Sequence, residues 1–557
     1  MLDQGSPFYA CEVGLSALRA SLNYGTVDTG PQGIEIGLSG SRFRKLIFEY
    51  LAMKLMISVF LRVIAVWISI GAFGVLAIGQ TRVYRDFPLD PEIGFGLSEK
   101  FKVEVKTCSE AFKEIRTYAI TPNEERVVTE KEHLTMFGFS PADGPVTIRV
   151  SLANGGRLDP GAIELVNKTY QGVEASHEGD SLVIEACQPL KQLMVRMPED
   201  KENPLMIHVD PYAPPVLPKD LNVVTFDGGR NGRVHKQRAE WDRYTVPDDV
   251  DAVVIEDGAL FKGTIHTTGE RKTPLIVQGN GIIICREVSK PTDDVKMKYN
   301  ALELTHGRGH KVDGITFVNG RHFAIRMNQE AHARNVKIYG YRANNDGIVV
   351  GADSLIENSF FKCNDDHIKI YYPRVQVRNC VFYEQFNGAI FQLCWNRLDP
   401  GDQSLIENVE VLEWEANCGD PDLGEGGIAR SLINHRESEA FGRDLVDTVF
   451  RNIYVQPQIA RFFCVNGLDH PVTYENVRIE NVTLEKEPKT YSWVYAGKEG
   501  DSSTSIDVTF SNVRFGDRFI GADDFKTKGD VRFSFENEGK PFRGPINPGE
   551  ADDCECK

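Results

Sequence analysis

A repeat of about 22 residues constrains the fold of this chain more than any other feature of its sequence. Short segments such as VDGITFVNG, ARNVKIYGY, IENSFFKC and VRNCVFYE recur, each with an Asn or Asp at an equivalent place. These anchors are Asp313, Asn335, Asn358, Asn379, Asn408, Asn452, Asn476 and Asn512. The first three intervals between anchors are 22, 23 and 21 residues. A supersecondary unit of this length, stacked many times, predicts a solenoid.

The composition of the units indicates the type of solenoid. Short β-branched strands alternate with glycine, and no helical pattern of a dozen residues intervenes, which argues against βαβ units. We therefore predict a right-handed parallel β-helix over residues 220–540, with each anchor at a left-handed corner bonded to the next coil. Later intervals lengthen to 29, 44, 24 and 36 residues, of which the interval of 44 has room for two coils. A β-propeller competes, but its blades need about 40 residues.

Residues 82–215 show a different periodicity. Alternating runs such as FKVEVKT, VTIRVSL, SLVIEAC and QLMVRM are separated by polar turns, which is typical of an antiparallel β-sandwich. The segment VDPYAPPVLPKD then indicates a linker, because its prolines keep the chain extended. The chain is therefore predicted to be all-β, with an N-terminal β-sandwich joined to the β-helix near Pro211 to Pro218 and a tail over 541–557.

The N-terminal region indicates export. Residues 53–79 combine basic Lys54 and Arg62 with an apolar run from Val63 to Ile78, so we predict a signal peptide cleaved near Gly79. An uncleaved anchor is the alternative, although the run is shorter than the ~20 residues of a membrane span. Residues 1–52 precede the signal and are interpreted as an unstructured or mis-assigned extension. We expect a secreted or periplasmic protein without stable membrane insertion once the signal is cleaved.

Charge and cysteine content limit the possible partners. The net charge of −17 argues against a nucleic-acid partner, since phosphate neutralisation needs a basic surface. The eleven cysteines show no metal-binding spacing, and we expect no cofactor or metal. Cys108 and Cys187 could form a disulfide in an oxidising compartment, but two buried thiols are the simpler interpretation. We expect a monomer.

Three carboxylates lie within the repeat, at Asp346, Asp365 and Asp366. Their positions relative to the anchors place them on neighbouring coils, which are one strand spacing of ~4.8 Å apart. Adjacent residues of a strand point to opposite faces, so both Asp365 and Asp366 can line one cleft only where the backbone bends. Such a cluster suits glycosidic-bond hydrolysis, with inversion if the carboxyl groups are roughly 6.5–9.5 Å apart and with one pKa raised by its neighbours. Alternatively, NNDG and NDD are ordinary turn sequences.

Several nearby residues are suited to contact a sugar. Lys369 can stabilise the ionised carboxylates or bond sugar hydroxyls, but a solvated surface lysine is an equal alternative. Tyr371, Tyr372 and Trp395 offer faces on which sugar rings stack, although each could instead pack in the core. Gln392 completes the predicted substrate-binding set.

The sequence NNDG followed by NDDHIKIYY resembles the characteristic block of glycoside hydrolase family 49, the dextranase and isopullulanase family. The segments FNGAIFQLCW, IARFFCVNGL and GPVTIRV resemble other parts of that family, so the likeness spans about 82 to 535. It implies an inverting endo-glycanase in which Asp365 is the general acid and Asp346 and Asp366 hold the nucleophilic water. The chain departs from the family pattern at Asn345, where threonine is common, and at His367, where a small residue is common.

The leading hypothesis is an exported hydrolase of an α-glucan, either dextran-like with α-1,6 linkages or pullulan. A polygalacturonase-like or other polysaccharide hydrolase is the alternative enzyme. The polygalacturonase family adds a Gly-His-Gly turn and an Arg-x-Lys pair, neither of which follows Asp366, and this favours a neutral glycan. A β-helical carbohydrate-binding adhesin is the non-enzymatic alternative, for which three clustered carboxylates would be coincidental.

Overall fold

The computed structural model describes residues 81–544, with gaps at 92–93, 109, 123–130, 157–162, 187, 231, 237–242, 286–299, 321, 343, 395–400, 416–429, 436–443, 468–471 and 498–503. All of these described residues lie within one compact unit. The predicted extension and signal peptide, and the tail beyond residue 544, lie outside them. No helix in the described part of the chain is long and apolar enough to cross a membrane.

The N-terminal part is a β-sandwich of two sheets. Among the described residues, one sheet has the order β2-β5-β6-β12-β11-β8 with β1 paired to β6, and the other has the order β4-β3-β7-β10-β9. The strands are β1 (Arg82–Val83), β2 (Phe95–Leu97), β3 (Phe101–Lys106), β4 (Lys113–Ile115), β5 (Tyr118–Ile120), β6 (Glu132–Phe139), β7 (Val146–Leu152), β8 (Glu164–Leu165), β9 (Glu174–Glu178), β10 (Ser181–Ala186), β11 (Lys191–Met197) and β12 (Asp200–Pro211). A 3₁₀ turn covers Pro141–Asp143 and a single α-helical turn covers Lys168–Gln171.

One strand pairing of the sandwich differs from the expectation. Alternating residues of strands such as β3 (Phe101, Val103 and Val105) form the core between the sheets, as an amphipathic β pattern requires. However, β12 pairs with β6 in parallel, while the other pairings in the two sheets are antiparallel. This sheet of the sandwich is therefore mixed, because β12 runs in the same direction as its neighbour β6.

The rest of the described chain is a parallel β-helix. Its first strands are β13 (Val223–Phe226), β14 (Arg233–Lys236), β15 (Arg243–Val246), β16 (Ala252–Ile255), β17 (Ala259–Lys262), β18 (Thr264–Thr267), β19 (Ile276–Gly279), β20 (Ile282–Ile284), β21 (Leu302–Leu304), β22 (Lys311–Asp313), β23 (Thr316–Val318), β24 (Phe323–Met327), β25 (His332–Arg334), β26 (Lys337–Tyr339), β27 (Asp346–Val349), β28 (Leu355–Glu357), β29 (Phe360–Cys363) and β30 (Ile368–Lys369).

Several of the later strands are longer, since they run through the corner of a coil. The later strands are β31 (Gln376–Glu384), β32 (Ala389–Cys394), β33 (Leu405–Trp414), β34 (Ser431–His435), β35 (Leu445–Val446), β36 (Val449–Val455), β37 (Arg461–Asn466), β38 (Tyr474–Leu484), β39 (Ser492–Tyr495), β40 (Ser505–Phe515), β41 (Arg518–Phe519), β42 (Phe525–Lys528) and β43 (Asp530–Glu536), with a 3₁₀ turn at Ala522–Asp524.

Each coil contributes strands to successive faces of the helix. In the described part of the chain, every third strand from β15 to β30, followed by β32, β34, β37, β39 and β42, forms an 11-stranded sheet, and the remaining strands form a 20-stranded sheet that covers the other faces. Along the 11-stranded sheet, Ile348 is in register with Ile368, Ile368 with Phe391 and Phe391 with Ile433. These side chains belong to the helix core. The residue after each of them therefore points outward, because strand side chains alternate.

Asparagine side chains form the predicted ladder at one corner of the helix. Asn379, Asn408 and Asn452 have positive φ values of 54° to 57°, and each donates from Nδ2 to the Oδ1 of the preceding anchor over 3.1 to 3.2 Å. The bond from Asn452 to Asn408 shows that the interval of 44 residues holds one coil with an insertion, not two coils.

Two anchors were assigned wrongly from the sequence. The ladder continues from Asn452 through Asn481 rather than Asn476, which instead bonds to Asp447. At the other end, Asp313 pairs with Arg334, and the corner falls one residue later at Gly314, which has φ of 81°. Asn335 does occupy the corner, with φ of 52°, but its side chain donates to Asp210 of the sandwich over 2.9 Å. Both errors arise because glycine, aspartate and asparagine all suit left-handed turns, of which a coil can have more than one.

The sandwich covers one face of the β-helix through a shared core. This core includes Phe95, Tyr118 and Met206 from the sandwich with Tyr339 and Phe360 from the helix. The interpretation of the sandwich and helix as separate folded units stays a prediction, and the shared core makes mutual stabilisation the stronger expectation.

Two fully buried ion pairs lie in this interface. Lys362 Nζ is 2.5 Å from Glu132 Oε2, and Lys337 Nζ is 2.6 Å from Asp210 Oδ1. Burial raises the pKa of Glu132 to about 7, an effect that the neighbouring Lys362 opposes. Each sandwich carboxylate is thus tied to an ammonium group on the helix.

We expect Lys362→Met to destabilise the protein by about 3–5 kcal/mol, because it leaves Glu132 buried without its partner. The midpoint of urea denaturation, followed by intrinsic fluorescence, measures this effect. Arg374→Gln is the matched control: Arg374 pairs with Asp353 on the exposed surface, and its loss should leave the midpoint unchanged. Equal midpoints for Lys362→Met and wild type would contradict the prediction.

Candidate active site

The three aspartates converge on the outer surface of the 11-stranded sheet. Asp346 is the first residue of β27, and Asp365 and Asp366 occupy the bend that precedes β30. In this bend the backbone N–H of Asp366 donates to Oδ1 of Asp365 over 3.0 Å. Because neither residue lies within a strand, both side chains can face the same side.

The carboxyl groups form a tight cluster around one lysine. One oxygen from each aspartate lies within 4.8 Å of the others. Lys369 Nζ is 2.8 Å from Asp346 Oδ1 and 2.5 Å from Asp366 Oδ2. The four side chains are buried. The nearest oxygens are closer than the roughly 6.5–9.5 Å expected between the carboxyl groups of an inverting site.

The neighbouring coil holds Asp365 and Asp366 in place. Asn387 Nδ2 donates to Asp365 Oδ2 over 3.1 Å, and the backbone N–H of Ala389 donates to Asp366 Oδ1 over 2.8 Å. Gly388 lies between these two donors with φ of 97°, where a Cβ atom would be 2.5 Å from the nitrogen and 2.7 Å from Oδ1 of Asp366. Only glycine therefore allows this close approach.

Charge balance distinguishes the three carboxyl groups. Burial, and then the neighbouring Asp366 carboxylate, raises the pKa of Asp365 to about 6. Burial also raises the pKa of Asp346 well above its usual value, and the contact with the Lys369 ammonium offsets this only in part. Burial disfavours the charged form of Lys369, yet the carboxylates of Asp346 and Asp366 outweigh that effect and hold its pKa above the usual value. Because Lys369 contacts Asp346 and Asp366 but not Asp365, Asp365 is the carboxyl group best placed to hold a proton.

The same cluster has the geometry that a cation site requires. Its three carboxylate oxygens are near enough to bind one metal ion. However, the Lys369 ammonium already contacts two of the three groups, so we assign the compensating charge to Lys369.

A pocket of about 400 Å³ opens beside the aspartates. Its lining comprises Thr305, His322, Phe323, Arg326, Met327, Asn328, Asn344, Asp346, Val349, Gly351, Asp365, Lys369, Tyr371 and Tyr372. His322 Nε2 lies 4.0 Å from Asp346 Oδ2. Burial, followed by the charges of Lys369 and Arg326, lowers the pKa of His322 to about 4, so this imidazole is neutral at neutral pH.

The predicted substrate-binding residues fall into three groups. Lys369, Tyr371 and Tyr372 line the pocket, and Lys369 is buried rather than solvated. Gln392 pairs with Lys369 in the sheet register and is buried, where it accepts a hydrogen bond of 3.0 Å from Asn434. Trp395 lies outside the described residues.

Sequence reasoning missed four residues of the site: His322, Arg326, Asn387 and Gly388. Asn387 follows Asp365 by 22 residues, which is one coil. A search for polar residues one repeat before and after each aspartate would have found Asn387, and the same search in the preceding coil would have found His322.

The chain is similar in sequence to proteins named isopullulanase and dextranase. An isopullulanase from Aspergillus niger is 22% identical over 202 residues, which are 33% of this chain and 35% of that protein. A dextranase from Arthrobacter sp. (strain CB-8) is 31% identical over 188 residues, which are 30% of this chain and 28% of that protein. No family model matches the chain. The matches thus span about a third of the length of these curated relatives.

The solved structure of Dex49A from Penicillium minioluteum has the same fold. It superposes with a TM-score of 0.63 at 14% identity, over 81% of this chain and 97% of that protein. The resemblance to glycoside hydrolase family 49 is confirmed. The all-β prediction of a sandwich followed by a parallel β-helix is confirmed as well.

Gly388→Ala should disrupt the site, because the added methyl group must displace the backbone or carboxylate of Asp366. We expect a loss of catalytic activity of at least 10²-fold, of the order reported for small misplacements of catalytic groups. Gly521→Ala is the control, since a Cβ there meets nothing within 4 Å. The turnover of the two purified variants on the same glucan measures the difference. Full activity of Gly388→Ala would show that the bend tolerates displacement.

Proposed function

We propose that this chain is an exported glycoside hydrolase that cleaves internal bonds of a neutral α-glucan, dextran-like or pullulan-like, with inversion of the anomeric carbon. The observation that carries the proposal is the cluster of three buried carboxyl groups, of which two contact Lys369 and the third, Asp365, does not. Such a cluster offers both an acid and a base beside a substrate-sized pocket.

Asp365 is the general acid in this proposal. A carboxyl group with a pKa of about 6 is mostly protonated near pH 5 and half protonated near pH 6, so it can donate to the glycosidic oxygen as the bond breaks. Its Oδ2 accepts from Asn387, which holds the carboxyl plane in a single orientation. The group therefore combines an available proton with a fixed direction of transfer.

Asp346 and Asp366 hold and activate the water in this proposal. Asp346 Oδ1 contacts Lys369, whereas its Oδ2 faces His322 across 4.0 Å at the pocket wall. A water beside this oxygen can donate one proton to Asp346 while its oxygen attacks the anomeric carbon. The proton of the water passes to the carboxylate and the proton of Asp365 passes to the leaving oxygen, so the reaction is balanced.

The contacts of Asp366 support water rather than a carboxylate as the nucleophile. Its Oδ1 accepts from the Ala389 N–H and its Oδ2 contacts Lys369, and each oxygen keeps a second lone pair that can accept from a water. A covalent bond from either oxygen to the sugar would remove the negative charge that Lys369 contacts. This argument supports inversion despite the short distances between the carboxyl oxygens.

The substrate class in the proposal rests on the relatives named isopullulanase and dextranase. Reducing-sugar release should occur on dextran or pullulan and not on polygalacturonate. Activity confined to polygalacturonate would replace the proposed substrate with that of the alternative hydrolase, and binding without any hydrolysis would favour the adhesin.

Asp365→Asn should lower kcat on the cleaved glucan by about 10²–10⁴-fold without weakening binding, because an amide keeps the shape but delivers no proton. Asp346→Asn and Asp366→Asn should be comparably damaging, and the three losses should not add, since the residues act as a unit. Nuclear magnetic resonance of the first product should show the inverted anomer. Retention, or a trapped glycosyl-aspartate, would overturn the water-holding roles.

Activity should fall as pH rises through about 6, because Asp365 must be protonated to act and its pKa is about 6. The alkaline limb of the kcat/KM profile measures this pKa in the free enzyme. Asn387→Ala should move the limb to higher pH, since the hydrogen bond from Asn387 stabilises the ionised form of Asp365. A limb that moves to lower pH in this variant would assign the titration to another group.

A further inference from the structure

The pocket beside the aspartates extends along the axis of the β-helix. Its lining residues come from four successive coils, those of β21, β24, β27 and β30, which spans three strand spacings of ~4.8 Å each. Asp365 and Asp366 lie at one end of this span. The pocket thus continues from the reacting groups toward the N-terminal coils. One coil spacing is close to the length of one hexose in an extended glycan, so each coil along the pocket corresponds to about one sugar unit.

A column of outward-pointing residues lies along the base of this pocket. In the strand register, Glu303 pairs with Arg326, Arg326 with Val349, and Val349 with Lys369. Arg326 therefore lies two coils from Lys369. Between them, Val349 packs with Phe323 and Tyr371 into an apolar patch. A glycan in the pocket would cross this patch with the C–H face of a sugar ring before it reaches Arg326.

Arg326 differs from most arginines of the described chain in having no carboxylate within salt-bridge distance. By contrast, Arg308 contacts Glu330 and Arg334 contacts Asp313. The guanidinium group of Arg326 lines the pocket and is half-buried. Its five fixed N–H donors are therefore available to a ligand in the pocket.

We propose that Arg326 is a specificity-determining residue that binds hydroxyl groups of the sugar about two units from the scissile bond, on the side of the N-terminal coils. This inference rests on the proposed function. A forked guanidinium can donate to two neighbouring hydroxyl oxygens of one sugar, which a single ammonium cannot do with fixed geometry. Efficient cleavage therefore requires a glucan long enough to reach Arg326, which is the behaviour expected of an enzyme that cleaves internal bonds.

The chain-length dependence of cleavage tests this assignment. The measurement is kcat/KM of the purified wild type and the Arg326→Gln variant on oligosaccharides of the cleaved glucan. These oligosaccharides have two to eight sugar units and are labelled at the reducing end. For the longer members we expect kcat/KM to fall by roughly 10- to 100-fold in Arg326→Gln, the range for losing a hydrogen bond from a charged group. The shortest members, which cannot reach Arg326, should be cleaved as by wild type. Arg326→Lys should lie between the two.

Arg308→Gln is the control variant, because Arg308 is an exposed arginine of the same region that does not line the pocket. It should match wild type at every chain length. Equal losses for short and long oligosaccharides in Arg326→Gln would place Arg326 at the scissile bond and overturn the assignment, and so would no loss at any length. If the wild-type protein cleaved no α-glucan, the proposed function itself would be wrong. Failure of the proposed function is thus distinguishable from failure of the role assigned to Arg326.

Discussion

The in-register stacking of coils is the constraint on which the rest of the structure depends. Each coil bonds its backbone to the coil before and after it, so the direction of every side chain on a face is set once the register is set. On the 11-stranded sheet this places Ile348, Ile368 and Phe391 inside. Their neighbours Val349, Lys369 and Gln392 consequently form an outward column, and the candidate active site is built around it.

Burial of the carboxyl cluster is possible because Lys369 supplies one positive charge within it. Three buried carboxylates without a counterion would be too costly and would take up protons instead. One ammonium group contacts Asp346 and Asp366, and Asp365 is left without this contact. The asymmetry between the proposed acid and the proposed base thus follows from which two carboxylates the lysine reaches.

The sandwich contributes to the site indirectly by completing the helix. It covers large aromatic residues such as Tyr339 and Phe360, and it pairs Lys337 and Lys362 with carboxylates of its own. Lys362 belongs to β29, the strand that leads into the bend carrying Asp365 and Asp366. The strand that leads into the bend is therefore bonded to a part of the chain more than 200 residues away in sequence.

The sequence alone determined the all-β architecture, the coil length and the placement of the aspartates on neighbouring coils, because these follow from periodicities local to the chain. Only the tertiary structure decided that Lys369 is buried between two aspartates, that Asn387 and Gly388 support them, and that Arg326 lies in the pocket. Each of these depends on side chains from different coils meeting at distances of a few ångströms. A repeat pattern predicts which coil a residue occupies. The direction of a side chain at a bend is set instead by the side chains of neighbouring coils that pack against it.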